Sequence, residues 1–154
     1  MMRFEKDKRV GETIKLNVFV YLAITGIALG LAARQCFAAP PRYLIAVACF
    51  LCAVYLILCL IRFLRFLKSW ENTYLLLDRD TVRGYGVDPR NGTGAAFEIG
   101  REEVADASLQ EIKLTGRTLL PGLTIRTASQ TYHVLGIENI KAARSRLLPG
   151  DELF

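Results

Sequence analysis

Catalytic equipment is scarce in this chain. Its 154 residues include one histidine, His133, whereas zinc sites of the usual kind need several His or Cys ligands. His133 lies in "TYHVL" with Thr131 and Leu135 on its side of a strand, and it reads as a strand-surface or core histidine. The glycines at 84, 86, 92, 94 and 100 form neither G-x-x-x-x-G-K-[ST] nor G-x-G-x-x-G opening a helix. The two common phosphate cradles are therefore excluded. Glu102 and Glu103 adjoin Arg101 in a short connection, where solvated charge is a better reading than general acid/base work. We expect no enzyme, no metal and no cofactor.

Positive charge is missing from the half where a nucleic-acid binder would carry it. Residues 71–154 hold ten Lys/Arg against twelve acids, a balance of −2, while residues 1–70 hold ten against three, a balance of +7. A nucleic-acid domain concentrates its cations on the folded part, so none is expected as a partner. The four cysteines, Cys36, Cys49, Cys52 and Cys59, have no His or carboxylate near them in the apolar run. They read as small, soft side chains packing between helices.

Charge is absent altogether from two runs, 16–33 and 43–61. At the helical rise they measure about 27 and 28 Å, close to the hydrocarbon thickness of a bilayer. Between them "RQCFAAPPR" carries Pro40 and Pro41, which break a helix. The expectation is a membrane α-helical hairpin of two transmembrane helices; a cleaved signal peptide would leave the second run unexplained. The N-terminal flank has Arg3, Lys6, Lys8, Arg9 and Lys15, and Arg62, Arg65 and Lys68 follow the second run. The loop has only Arg34 and Arg42. This asymmetry places both termini in the cytoplasm. Arg62, Arg65 and Lys68 recur every third residue and, with Trp70 (and Tyr74 behind it), are set to meet lipid headgroups. Gly26 and Gly30 form G-x-x-x-G, a spacing that lets helices approach closely, within the hairpin or between subunits.

From residue 72 the apolar period changes to alternation. "TYLLLDR" and "TVRGYGV" read as a hairpin around Asp78–Asp80, and 88–94 ("DPRNGTG") as a loop. "AAFEI" reads as a strand. In 104–114 the phase moves from Ala105, Ala107 and Leu109 to Ile112 and Leu114, which predicts a bulge near Gln110–Glu111. "TGRTLLPG" reads as a turn region, "LTIRT" and "TYHVL" as a hairpin. "ENIKAARSRLL" is an amphipathic helix with Asn139 as N-cap and Gly150 after Pro149 as its end. The expected organisation is a cytoplasmic segment 1–15, a transmembrane hairpin 16–68, and a small mainly-β domain 72–150 closed by a C-terminal helix.

With "YLLLDRDTVRGYG", "FEIGREEVADASLQE" and "GLTIRTASQTYHVLGIENIKAARSRL" behind two apolar spans, the chain resembles the bacterial PH-like (pleckstrin-homology-like) domain membrane proteins over residues 14–148. Ile99, Val104, Gly122 to Thr127, Tyr132 and Asn139 carry the resemblance. It implies a β-roll of two bent sheets with the helix plugging one end, in the cytoplasmic membrane of a bacterium, acting as an interaction or assembly module. The chain departs from phosphoinositide-binding PH domains, which cluster Lys/Arg around the first hairpin. Here Arg90 stands alone in the loop, with Arg79, Arg83 and Arg101 scattered among Asp78, Asp80, Asp88 and Glu98. A protein partner or self-association is therefore expected, through Asp88, Pro89, Arg90, Asn91 and Gly92 and through Arg117 in the turn 115–122. The alternative is an anionic-lipid binding or sensing module.

Overall fold

The computed structural model describes residues 2–38, 42–115 and 118–148. Pro40, Pro41, Arg117, Pro149 and Gly150 lie outside the described residues, as do the turns and the helix end expected there. Two helices, α1 (Lys8–Cys36) and α2 (Tyr43–Glu71), have 29 residues each and so run about 44 Å. Both are long and apolar enough to cross a membrane. They outrun the uncharged stretches because the flanking segments hold Lys, Arg, Glu and Leu, which favour helix, and no proline.

Residues 13–64 form one compact unit. Within it the rings of Tyr21 and Phe63 meet edge to face at 4.7 Å, and Thr25, Ala32, Ala46 and Ala53 are buried. Gly26 and Gly30 are not part of this seam: a Cβ placed on either would meet no atom within 4 Å. The expectation that they pack the two spans together is overturned. Alanines take that place, since Ala46 and Ala53 stand seven residues apart and so share one side of α2. The cysteines are displaced for the same reason. Cys52 lies about 100° round the helix from Ala53 and is exposed, as is Cys36, while Cys49 and Cys59 are half-buried.

The second unit comprises 1–12 and 65–154. Its first sheet has the order β1-β2-β3-β4, with β1 (Met2–Phe4), β2 (Leu75–Leu77), β3 (Thr81–Val87) and β4 (Gly94–Gly100). The second has β5 (Val104–Thr115), β6 (Thr118–Thr127) and β7 (Thr131–Leu135). Every pairing is antiparallel. Helix α3 (Ile140–Leu147) follows β7 and adds Ala143 and Leu147 to a core of Phe4, Leu75, Val82, Ile99, Leu123, Ile125 and Val134, among others.

Three readings change here. Residues 1–15 are not a separate segment. Met2 pairs with Leu77 and Phe4 with Leu75, Asp7 N–H donates to the Gly136 carbonyl, and Glu138 N–H donates to the Glu5 carbonyl. The domain is therefore discontinuous in sequence, and the apolar helices are inserted between its first two strands. Second, β5 has no bulge at Gln110–Glu111. Pairing with β6 is unbroken from Asp106 to Lys113, and the irregularities fall between Val104 and Asp106 and between Lys113 and Thr115. The apolar phase shifts because Ala107 is buried on one face of the strand and Ile112 and Leu114 on the other. Third, the expected turn through 122 is strand from Thr118 on. Pro121 lacks an N–H, but its carbonyl accepts from Gly136 N–H at 2.8 Å, so little is lost at that rung. Asn139 does precede α3, in a left-handed conformation (φ 52°) and without a side-chain cap. Its carbonyl takes the Ala143 N–H, opening the helix.

Candidate functional site

The β unit has an open cleft of about 510 Å³ lined by the end of β3, the start of β4, the loop between them, and Thr131, Tyr132 and His133 of β7. That size is within the range of ligand sites. Gly86 and Ala95 are paired across β3 and β4, so that end of the sheet carries almost no side-chain bulk. Next to it the rings of Phe97 and Tyr132 stack at 4.4 Å with 22° between their planes. This pair joins the two sheets and forms an aromatic floor.

Asp88, Pro89 and Arg90, with Thr93 and Gly94, form one wall, and the loop that carries them is built to hold a shape. Asp88 N–H donates to the Thr93 carbonyl at 2.7 Å, Gly92 N–H to the Asp88 carbonyl at 2.9 Å, and Arg90 N–H to Asp88 Oδ1 at 2.8 Å. Asn91 Oδ1 accepts from both the Thr93 N–H and its hydroxyl. Gly92 (φ 75°) is buried against the last turns of α2: a Cβ there would sit 2.7 Å from the Phe66 ring. Ser69 Oγ donates to the Gly92 carbonyl at 2.6 Å. Gly92 is thus the seat of the loop and is withdrawn from any partner surface, whereas Arg90 and Asn91 remain exposed.

Trp70 is not an interfacial side chain. It is 7% exposed, its indole Nε1–H donates to the Asp7 carbonyl at 3.0 Å, and Lys6 Nζ lies 5.1 Å over its ring. A Cβ on Gly11 would fall 2.3 Å from the indole, so only glycine lets α1 pass this close. Trp70 latches the N-terminal segment to the end of α2. Of the other residues expected at headgroups, Arg65 and Lys68 are exposed and Arg62 is half-buried; Lys8 and Arg9 are exposed as well. The N-terminal part of this arrangement has one sequence signal: Phe4 and Val10, apolar residues set among the charges of 3–12, are both buried.

His133 borders the cleft. Its Nδ1 lies 3.0 Å from Thr124 Oγ1, which in turn donates to Gln110 Oε1, so one polar row crosses three strands. Burial lowers the His133 pKa from the ordinary 6.5; the Asp88 charge acts the other way, and Arg126 adds to the lowering. The unfolded chain therefore takes up this proton first as pH falls, and stability conferred by the neutral imidazole is held above pH 6.5 and lost below it. Unfolding midpoints measured in urea from pH 8 to pH 5 should show this decline, and His133→Gln should flatten it. Among the described residues no group of three His, Cys, Asp or Glu side chains is placed to hold a metal ion.

No protein-family model, curated protein or solved structure matches this chain.

Proposed function

We propose that the chain is a membrane-anchored PH-like module that binds a protein partner, or further copies of itself, at the cytoplasmic face of a bacterial membrane. One observation carries the anchoring. Strands β1 and β2 pair within one sheet, although 29-residue helices α1 and α2 lie between them in the chain. Both ends of the helical pair must then be on the same side of a bilayer, which suits an even number of crossings. The Lys/Arg excess at those ends supports the cytoplasm as that side. The two sheets with a following helix fit a PH-like roll, and the open cleft with its aromatic floor supports a binding role.

Exposed Lys8, Arg9, Arg65 and Lys68 favour a second reading, attraction to anionic headgroups. Ionic strength separates the two. The full-length protein, extracted from its native membrane in mild detergent, is weighed by light scattering at 0.1 and 0.5 M salt, and cosedimentation is followed in nanodiscs with and without phosphatidylglycerol. A complex of defined excess mass that persists at 0.5 M salt supports the interaction module, because packed interfaces are little screened. A bare monomer at both salts, with headgroup effects that fade as salt rises, would replace it with the lipid reading.

A further inference from the structure

The interaction reading leaves open which surface is used, and the ladder of β6 and β7 narrows it. In an antiparallel pair, rungs that exchange hydrogen bonds alternate with rungs whose backbone groups point away from the partner. Thr127 N–H donates to the Gln130 carbonyl, and Gly136 N–H to the Pro121 carbonyl, which identifies the bonded rungs. Counting inward, Ile125/Tyr132 and Leu123/Val134 are bonded. Arg126/Thr131 and Thr124/His133 are not. The N–H and C=O groups of Thr131 and His133 therefore point to the far side of β7, where no other strand among the described residues pairs with Thr131–Leu135.

The chain bends at Gly136 (φ 48°), and the stretch beyond the bend is already covered. Residues 5–7 run beside 136–138, through Asp7 N–H to the Gly136 carbonyl, Glu138 N–H to the Glu5 carbonyl, and a bridge at Lys6 and Ile137. That strand stops because the chain turns into α1 at Lys8. On the β7 side of the bend lies the cleft: inward-facing Tyr132 and its outward-facing neighbours Thr131 and His133 all line it. A recess bordered by both faces of one strand is a recess along that strand's backbone edge.

We propose that this cleft takes an extended peptide segment of a partner protein, added as a strand to the free edge of β7. The proposal rests on the interaction-module reading and names the surface it uses. The concave shape favours a lone extended segment over the edge of a second folded copy, because the loop at Asp88–Gly94 walls the approach. The partner segment presents an aliphatic or aromatic side chain at alternate positions, packing on Phe97 and Tyr132. Affinity comes from backbone hydrogen bonds and specificity from that slot.

The test uses full-length protein in nanodiscs of zwitterionic lipid, which removes headgroup attraction. A displayed library of random peptides of about seven residues, a strand's length, is panned against it, and enriched peptides are synthesised. We expect binding that slows amide exchange at Thr131 and His133, both fast in the free protein, while Tyr132 and Val134 are slow throughout. N-methylation at alternate peptide positions should weaken binding at least about tenfold, the worth of one to two backbone hydrogen bonds. Ala95→Trp, which fills the slot from an exposed position, should do likewise without changing the thermal midpoint. Failure to enrich any peptide over empty nanodiscs overturns the proposal, as do peptides that bind Ala95→Trp unchanged or leave the two amides unprotected. If a salt-resistant complex from native membranes nevertheless survives Ala95→Trp, the module stands and only this site is lost; with neither peptide nor complex, both readings fall.

Discussion

A fragment starting at residue 72 is expected not to fold, and removing residues 2–7 from the full-length chain is expected to unfold its β domain. The fragment lacks β1, and Phe4, 8% exposed in the core, goes with it. Losing a buried phenylalanine costs about 3–5 kcal/mol, against a total of about 5–15 kcal/mol for a domain of ordinary stability. The deletion also frees β2 as an edge strand, a template for aggregation, and leaves the Gly136 carbonyl and the Glu138 N–H without Asp7 and Glu5. Joining residues 2–12 to 65–148 through a short Gly/Ser linker should restore a folded, soluble domain, since Gly11 already lies against Trp70. The readout is amide dispersion in a heteronuclear NMR spectrum. A well-dispersed spectrum from 72–148 alone would remove the N-terminal strand from the fold.

Trp70→Ala is the single substitution with the largest expected effect, about 3–5 kcal/mol. In a domain of this size that lowers the thermal midpoint by at least about 10 °C. Trp70→Phe keeps most of the packing and removes the indole donor from the Asp7 carbonyl, so it should cost only about 1–2 kcal/mol. Circular dichroism melts of both variants give the order. A tryptophan lying among lipid headgroups would give the opposite pattern, with little loss of stability in either variant and a changed response to lipid composition. Trp70 is the chain's one tryptophan, so its emission gives a second readout: blue-shifted and poorly quenched by acrylamide when buried.

What the sequence made legible was periodic. The two uncharged runs, the alternating strands from Leu75 to Leu135 and the amphipathic face of α3 all follow from patterns that repeat over many residues, and the structure has elements at each. What escaped were single contacts between distant residues. Three residues of strand at Met2–Phe4 are too short to show a period, and their partner lies more than seventy positions away. A tryptophan after a basic stripe looks the same whether lipid or Gly11 covers it. Gly26 and Gly30 have the right spacing for helix packing, but spacing does not say which side of a helix meets its neighbour. In β5 the alternation faltered because burial changes face along an unbroken strand, which produces the same string as a bulge. For the candidate site, the loop 88–94 was visible from its Pro, Asn and Gly content. The cleft beside it needed the stacking of Phe97 on Tyr132, a contact between different sheets.

The placement of the helices between β1 and β2 has a consequence for biogenesis. Phe4 is made about seventy residues before Leu75, its partner, a wait of roughly 4–14 s at ordinary translation speeds. During that time the first strand lacks β2, and both apolar helices are made before it arrives. If the helices cross a bilayer as proposed, a chain that inserted only one of them would leave β1 and β2 on opposite sides, where their sheet could not form. Under the membrane-anchored reading, completion of the sheet would act as a check on topology, since a misinserted copy would be left with an unpaired strand and an open core.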